Sequence, residues 1–371
     1  MNSGLSVFVT PRSGPPYQEL LYRNVEAAGV EVRYDEGPTA SQTLNILMMP
    51  LVLAWQRARG SQILHIHWVF QFSLPWARRR RWARRLMEWW FDVYLHSAQF
   101  LGYAIVWTAH DLLPHEQVFD NDSRGRDLLI SKASIVIALS EATAVELREL
   151  RARNVRVIPM GSYAEPYPVT LSREEARASF GFVTSDLVVS LVGRIEAYKG
   201  ADLLLRALTR LSPSSRVKVL LAGLCPDEDY RHQLTQLARE AGGRVVTDFR
   251  WIPDEDLARY LQATDVAVFP FREITNSGSI MLAQSFGRPV VMPNLPVLRD
   301  IPDDTAIRFD GTLGSLVSAL ERIEGLSEPE YRKMSASAQA WSTRLDWTTI
   351  ARETVEVYVD ASDSLRSKRP S

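Results

Sequence analysis

Cysteine, an excess of charge of either sign and long apolar runs are all nearly absent from this 371-residue chain. Its one cysteine, Cys225, excludes an intrachain disulfide and any cysteine-rich zinc or iron–sulfur site. This is typical of a reducing compartment, and we expect the cytoplasm. The 43 Lys and Arg residues are balanced by 44 Asp and Glu residues, so the overall charge does not favour a nucleic acid partner.

No segment is apolar for long enough to span a bilayer. The longest apolar stretch, Ile46 to Trp55, contains Pro50 and is far shorter than the ~20 residues that a membrane-spanning helix needs. The N-terminal apolar run ends at Thr10-Pro11 without a basic segment before it. We therefore expect a first strand there rather than a signal peptide.

The sequence has the composition and pattern of a folded α/β protein. Hydrophobic residues make up 46% of the chain and charged residues 23%, which is close to the average of globular proteins. Short β-branched runs alternate with longer helical patterns, and this indicates βαβ units with mostly parallel sheets. Strands are predicted at 6–9, 30–34, 63–66, 104–107, 135–138 and 155–158, then at 187–191, 217–221, 245–247, 266–269 and 290–292.

The chain length and a proline-containing linker predict two Rossmann-like domains. The linker lies between Gly161 and Thr170. We predict an N-terminal domain over 1–165, a second domain over 166–345, and a C-terminal helix with a polar tail over 346–371. Open parallel sheets bind ligands at the carboxyl ends of their strands, so functional residues are expected in the loops that follow the strands.

Two cations follow the first strand of the second domain. The sequence there is Gly193-Arg194, then Lys199-Gly200 ahead of a helical run. Gly193 allows a tight turn, and the spacing lets Arg194 and Lys199 converge on one anion, with a charge-assisted contact to phosphate worth roughly 1.5–3 kcal/mol. The alternative is a solvated loop with two surface cations.

A second candidate anion site lies at the start of a later helix. Ser277, Gly278 and Ser279 precede the apolar run that begins at Ile280. Small residues at a helix start leave backbone N–H groups available, and the helix dipole favours an anion there. The alternative is an ordinary N-cap, which serine supplies routinely.

Histidines and acids follow two strands of the first domain. His65 and His67 lie on one face of a strand end, but no third metal ligand is evident nearby. His110 and Asp111 follow the next strand directly, with Glu116 a few residues further on. A ligand-lining role and a structural role both remain open for His65 and His67.

Neither a metal site nor a dinucleotide site is expected. Three Asp-x-Asp patterns begin at residues 120, 227 and 254, and they are interpreted as a loop and two helix starts. A dinucleotide-dependent oxidoreductase would carry G-x-G-x-x-G after the first strand, where this chain has Thr10 to Pro16 instead.

A basic, tryptophan-rich segment extends from Trp76 to Trp90. On a helix, one face would hold Trp82, Leu86, Trp89, Trp90 and Val93, and the other Arg78, Arg80, Arg81, Arg84 and Arg85. This profile favours peripheral contact with anionic lipid. A core-packed helix with a solvated basic face is the alternative, and nucleic acid binding is not expected because no binding motif accompanies the arginines.

Together these motifs resemble those of GT-B glycosyltransferases, and more closely the bacterial family 4-like enzymes. The Gly193-Arg194 and Lys199-Gly200 pairs resemble the family's diphosphate clamp, and the runs 265–270, 277–279 and 287–291 resemble its nucleotide-sugar stretch. The tail from Trp341 to Trp347 resembles its last helix, which crosses back to the first domain. The resemblance implies two Rossmann-like domains facing each other across a cleft.

The resemblance also implies roles for the candidate site residues. His110 would contact the donor sugar, and Asp111 or Glu116 would be the general base if the enzyme inverts stereochemistry. No protein base is needed if it retains, because the leaving phosphate then assists attack. Arg194, Lys199 and the 277–279 helix start would neutralise the departing diphosphate without a metal or other cofactor. His65, His67 and Gly14 would line the cleft on the acceptor side.

One departure from the family pattern affects the ribose site. The family's usual pair of glutamates maps to Ile274 and Leu282 in this chain. We therefore expect ribose recognition to differ, with Glu273 and Asn276 as the candidates for contact with ribose or the donor sugar.

The predicted function is transfer of a sugar from GDP-mannose or a UDP-sugar to a hydroxyl of a lipid-linked glycan. The enzyme would be cytoplasmic and peripheral on the inner face of the plasma membrane. A soluble small-molecule acceptor and a non-catalytic nucleotide-sugar binding protein are the alternatives.

Overall fold

The computed structural model describes residues 4–12, 16–37, 39–69, 72, 74, 77, 79–114 and 117–366. The chain forms two compact units, one comprising Met1–Met160 and Trp347–Ser371 and the other Gly161–Asp346. Each unit contains one six-stranded parallel sheet with helices. The predicted α/β architecture is confirmed.

The sheet of the first unit has the strand order β2-β1-β3-β4-β5-β6. Its strands are β1 (Ser6–Thr10), β2 (Glu31–Tyr34), β3 (Ile63–Ile66), β4 (Ala104–Ala109), β5 (Ile135–Ala138) and β6 (Val155–Val157). Its helices are α1 (Pro16–Ala27), α2 (Gln42–Ala58), α3 (Arg81–Phe100), α4 (Asp122–Lys132), α5 (Glu141–Glu149) and α13 (Trp347–Arg366). Every residue of β4 is buried, as expected for a central parallel strand covered on both faces.

The sheet of the second unit has the strand order β12-β11-β10-β7-β8-β9. Its strands are β7 (Leu187–Val192), β8 (Val217–Ala222), β9 (Val245–Asp248), β10 (Val266–Val268), β11 (Val290–Pro293) and β12 (Ala306–Phe309). Its helices are α6 (Arg173–Ala178), α7 (Ala201–Arg210), α8 (Glu228–Glu240), α9 (Asp254–Ala263), α10 (Gly278–Ser285), α11 (Leu313–Glu324) and α12 (Glu328–Arg344). The edge strand β12, which pairs with β11, was not predicted.

The last helix, α13, packs against α1 in the first unit. Tyr358 on α13 and Tyr22 on α1 are both completely buried. This agrees with the predicted return of the C-terminal helix to the N-terminal domain. None of the described helices combines the length and the apolar character that crossing a bilayer requires.

The basic helix differs from its prediction in extent and in core-facing side. It begins at Arg81, with Arg80 as N-cap, whereas Trp76 and Arg78 lie outside the described residues. Its buried face consists of Ala83, Met87, Phe91, Tyr94, Leu95 and Ala98. The apolar face predicted from the sequence is therefore a different face of the helix from this buried one. Three of its members, Trp82, Leu86 and Trp89, are exposed.

A buried ion pair joins α6 to the sheet of the second unit. The Arg177 guanidinium donates to the Asp265 carboxylate at 2.6 Å, and the same carboxylate oxygen accepts from the backbone N–H of Val188 at 2.7 Å. Both charged side chains are almost inaccessible to solvent. Arg173 also pairs with Asp265, so removal of Asp265, rather than of Arg177, would leave an uncompensated charge in the interior.

We predict that Asp265→Ala lowers the free energy of unfolding by about 3–5 kcal/mol, because Arg177 then stays buried without its carboxylate. Chemical denaturation of the purified protein measures this. Asp303→Ala is the matched control, since Asp303 pairs with Arg308 at 2.7 Å but is 86% exposed, and little change is expected. Equal effects of the two substitutions would contradict the prediction.

Candidate active site

At the edge of the second sheet where β7 ends, backbone segments that contain glycine lie very close to one another. Gly193 follows β7 with φ of 119°, and Gly223 follows the neighbouring β8 with φ of 135°. A β-carbon on Gly223 would overlap the Gly193 carbonyl oxygen, and one on Gly200 would overlap the Pro270 carbonyl oxygen. Glycine is required at 200 and 223 because both backbones approach their neighbours too closely for a side chain.

Three of the predicted diphosphate-binding residues lie together at this edge. A β-carbon placed on Gly193 would be 3.2 Å from Ser279 Oγ and 3.7 Å from Lys199 Nζ. We call Gly193, Lys199 and Ser279 the Lys199 cluster. The structure thus brings together two sequence segments that are about 80 residues apart.

The Lys199 ammonium is buried although no carboxylate is hydrogen-bonded to it among the described residues. The residue is 7% exposed and ends a short 3-10 helix, Ala197–Lys199. Burial lowers its pKa to about 8, Glu196 opposes this shift, and Arg194 adds to it. A positive charge in such a place favours a bound anion.

Helix α10 presents its N-terminus at the same cluster. Ser277 is the N-cap, and its hydroxyl accepts from the backbone N–H of Ile280 at 3.1 Å. The ordinary N-cap interpretation therefore holds for Ser277. It is compatible with anion binding, because the first N–H groups of a helix have no partner within the helix.

The loop after β10 is fixed to the segment around Lys199. Arg272 donates to the Asp202 carboxylate at 2.7 Å and to the Ala197 carbonyl oxygen, and its own N–H bonds to the Tyr198 carbonyl oxygen at 2.8 Å. Asp202 also accepts from the Tyr230 hydroxyl at 2.8 Å. Sequence reasoning missed Arg272 and Asp202, although an acid two residues after Gly200 was an available signal.

The remaining predicted donor-site residues are more exposed. Arg194 is exposed, and its guanidinium pairs with the Glu196 carboxylate. Glu273 is also exposed, while Asn276 and Leu282 are intermediate. The roles predicted for Glu273 and Asn276 remain predictions.

In the first unit, the ends of β3 and β4 form a buried group of imidazoles. His67 Nδ1 lies 3.0 Å from His110 Nε2, and both rings are almost inaccessible. His65 Nε2 lies 2.8 Å from Thr108 Oγ1. We call His65, His67 and His110 the histidine cluster.

Two tyrosines complete the hydrogen bonds of this cluster. The Tyr22 hydroxyl lies 2.8 Å from His65 Nδ1 and 2.6 Å from His67 Nε2. The Tyr358 hydroxyl lies 2.7 Å from His65 Nδ1. His65 and His67 thus have both ring nitrogens within hydrogen-bond distance of protein groups, which favours a positioning role for these two residues.

The histidine cluster is uncharged at neutral pH. Burial lowers the pKa of His65 to about 3 and that of His110 to about 3, and it also lowers the pKa of His67. Each imidazole therefore acts as a hydrogen-bonding group rather than as a cation. A neutral ring next to a sugar can donate or accept a hydrogen bond without placing a charge there.

Aromatic rings fix the orientation of His110. Trp68 stacks on the His110 ring with centroids 4.3 Å apart and planes 16° apart, and Tyr17 contacts it edge-on at 4.9 Å. Asp111 follows as a partly exposed residue. The predicted site residues Glu116 and Gly14 lie outside the described residues.

Aspartates of the three Asp-x-Asp patterns cap helices or lie in their first turns. Asp227 caps α8 by accepting from the Tyr230 N–H at 3.0 Å, and Asp122 accepts from the Phe119 N–H at 2.7 Å. Asp254 and Asp256 lie in the first turn of α9. Within the described ranges, no group of three His, Cys, Asp or Glu residues is placed to hold a metal ion.

The basic helix α3 exposes part of its predicted lipid-facing surface. Trp82 and Trp89 are each 57% exposed, and Leu86 is exposed beside them. Trp90 instead packs inward and donates its indole N–H to the Ile46 carbonyl oxygen at 2.8 Å. Arg85 pairs with Asp120 at 2.8 Å, and Arg84 is partly buried.

Comparisons with known proteins point to glycosyltransferases. Residues 186–323 match the model of the family described as glycosyl transferases group 1. The chain is 28% identical over 375 residues to a D-inositol 3-phosphate glycosyltransferase of Nocardiopsis dassonvillei, covering 93% of this chain and 82% of the relative. It is 23% identical over 338 residues to the GDP-mannose:glycolipid 4-beta-D-mannosyltransferase of Xanthomonas campestris pv. campestris, covering 88% and 86%.

Solved structures show the same fold. The Anabaena protein Alr3699/HepE, in complex with UDP and glucose, matches with a TM-score of 0.72 at 18% identity, covering 95% of this chain and 98% of that one. Sucrose-phosphate synthase of Thermosynechococcus elongatus matches with a TM-score of 0.72 at 21% identity, covering 97% and 99%. The matched family model and the curated relatives support a family 4-like glycosyltransferase, and the solved structures show the GT-B fold.

Proposed function

We propose that this glycosyltransferase takes its sugar from a nucleoside diphosphate sugar and binds the diphosphate at the Lys199 cluster. The observation that carries the proposal is the buried Lys199 ammonium beside Gly193 and Ser279, at the start of α10. A diphosphate there would gain a charge-assisted hydrogen bond and the favourable end of the helix dipole.

The similar proteins support two donors. The name of the Xanthomonas enzyme contains GDP-mannose, and HepE was solved with UDP and glucose. GDP-mannose and a UDP-sugar are therefore the donors we propose. Ribose contact falls to Glu273 or Asn276, because Leu282 offers no hydrogen-bonding group.

In the proposed reaction, the bond between the anomeric carbon and the diphosphate oxygen breaks, and the acceptor oxygen bonds to that carbon. Lys199, Arg194 and the start of α10 neutralise the charge that develops on the leaving diphosphate. The acceptor proton passes to Asp111 or Glu116 if the enzyme inverts, and to the leaving diphosphate if it retains. Because protein cations supply the charge, we assign no step to a metal.

His110 is proposed to contact the donor sugar. Its ring is neutral and is held by His67 and the stacked Trp68. An imidazole that is already fixed orients a sugar hydroxyl without a free-energy cost for rearrangement during the reaction.

The acceptor is proposed to be a hydroxyl of a lipid-linked glycan, reached from the inner face of the plasma membrane. Exposed Trp82, Leu86 and Trp89 beside arginines on α3 support peripheral membrane contact. The name of the Xanthomonas enzyme, which contains glycolipid, points the same way. A soluble acceptor is the second candidate, because several relatives are named for D-inositol 3-phosphate.

Calorimetric binding of GDP, UDP, dTDP, ADP and NAD, with and without magnesium, tests the donor proposal. One tightly bound nucleoside diphosphate, unaffected by magnesium, is the expected result. Binding of NAD alone would overturn the proposal. Turnover of the matching nucleotide-sugar then excludes a non-catalytic binding protein.

We predict that Lys199→Met weakens binding of that nucleoside diphosphate at least tenfold. The affinity of the unmodified protein should also fall as pH rises through about 8, because the Lys199 ammonium then loses its proton. Calorimetry between pH 7 and 9 measures both effects. Lys333→Met, an exposed lysine of α12, is the control and should bind normally; a Lys199→Met variant with unchanged affinity would contradict the proposal.

We predict that His110→Ala lowers kcat at least tenfold while nucleotide affinity stays unchanged, since the donor sugar loses its contact but the diphosphate does not. Steady-state kinetics with the identified nucleotide-sugar measure this. His96→Ala, an exposed histidine on α3, is the control. His110→Asn keeps a hydrogen-bonding group and should recover part of the activity; full activity in His110→Ala would remove the residue from the site.

We predict that the double substitution Trp82→Ser and Trp89→Ser lowers binding to vesicles of anionic phosphatidylglycerol at least tenfold, because two exposed indoles are lost from the membrane-facing surface. Vesicle co-sedimentation at low salt measures this. Trp251→Ser is the control, because Trp251 is 70% exposed but lies in the second unit. Vesicle binding equal to that of the unmodified protein would exclude α3 as the contact.

A further inference from the structure

A mostly apolar pocket of about 400 Å³ lies in the first unit. Ile46 and Met49 line it from α2, and Phe91 and Tyr94 line it from α3. Trp68, which stacks on His110, also contributes to its wall. A concave, largely apolar site with few polar groups is the usual form of a small-molecule pocket.

Three polar residues of the lining, Thr10, Asp35 and Tyr94, could contact a bound molecule. The Thr10 hydroxyl at the end of β1 donates to the Asp35 carboxylate at 3.1 Å, and the Gly37 N–H lies 3.3 Å from the other carboxylate oxygen. The buried hydroxyl of Tyr94 makes no hydrogen bond of ordinary geometry among the described residues, although Thr10 and Asp35 lie close enough to shift its pKa. A buried phenol with so poor a hydrogen bond can gain a better one from the hydroxyl of a bound molecule.

The lining of the pocket carries negative charge without positive charge. Its acidic residue is Asp35, and no Lys or Arg occurs among the described lining residues. A phosphate in this pocket would meet a carboxylate and no compensating cation, whereas a neutral hydroxyl could donate to that carboxylate.

The helices that form the apolar wall also carry exposed apolar side chains. On α2, Leu47, Leu51 and Trp55 are exposed at helical spacing, and on α3 Trp82 and Trp89 are exposed. The two helices that form the apolar wall of the pocket thus also carry the surface proposed to contact the membrane. This proximity favours a hydrocarbon-bearing occupant over a fully polar one.

We propose that this pocket binds an uncharged glycoside with its attached hydrocarbon chain, and that Asp35 selects a neutral hydroxyl over a phosphate. The inference deepens the proposed function and rests on it, because it names the class of acceptor. It also separates this chain from the relatives named for D-inositol 3-phosphate, whose acceptor carries a phosphate.

The test is calorimetric binding of octyl β-D-glucopyranoside and octyl phosphate to the full chain, both below their micelle concentrations. We expect octyl glucoside to bind at least tenfold more tightly than octyl phosphate. Asp35→Asn should reduce this ratio at least threefold, because the repulsion of phosphate is removed. Octyl phosphate binding as tightly as octyl glucoside, or no detectable octyl glucoside binding, would overturn the proposal.

A second variant locates the binding. Met49→Trp fills the pocket and should weaken octyl glucoside binding at least tenfold, whereas Val145→Trp, a change at a half-exposed residue of α5 outside the lining, should not. Equal binding by Met49→Trp and the unmodified protein would also overturn the proposal. Nucleoside diphosphate binding is measured on each variant, so loss of the acceptor proposal is distinguished from loss of the donor proposal.

Discussion

The burial of one lysine ammonium is the constraint on which the proposed donor site depends. Lys199 and Ser279 both lie beside Gly193, where the backbone at Gly223 lies against Gly193 and that at Gly200 lies against Pro270. Any side chain at 200 or 223 would separate these segments. The parallel sheet brings the loops after β7, β8 and β10 to one edge, and the glycines let them approach closely enough to enclose a charge.

At the edge of its own sheet, the first unit buries uncharged groups instead of a charged one. Its three imidazoles are buried and neutral, and tyrosine hydroxyls complete their hydrogen bonds. One of these hydroxyls, that of Tyr358, comes from α13, so the last helix of the chain contributes to the order of the cluster. His67, at the end of β3, contacts His110 directly. Groups from α1 and α13 hold His65 and His67 in place, so His110 depends on three segments that are distant in sequence.

Sequence reasoning predicted most of this fold, and its failures have physical reasons. Eleven strands were predicted from β-branched runs, but β12 (Ala306–Phe309) is a short edge strand with a charged residue in its middle, so its pattern is weak. That Gly193, Lys199 and Ser279 belong to one site was predicted from the loops that follow the strands and from the resemblance to the family's diphosphate-binding motifs. The pocket around Asp35 and Tyr94 was not predictable, because its lining comes from five separate elements whose side chains show no common motif.

The two proposed sites would discriminate by charge of opposite sign. A buried cation at the Lys199 cluster would favour a diphosphate, whereas Asp35 in the apolar pocket would disfavour a phosphate. If both substrates were anionic, the Lys199 cluster would attract both, and the acceptor would compete with the donor for Lys199. An uncharged acceptor avoids this competition, since it gains nothing from the cation and the nucleotide gains nothing from an acidic, apolar pocket. The difference in charge between donor and acceptor is thus itself a basis for selecting each substrate.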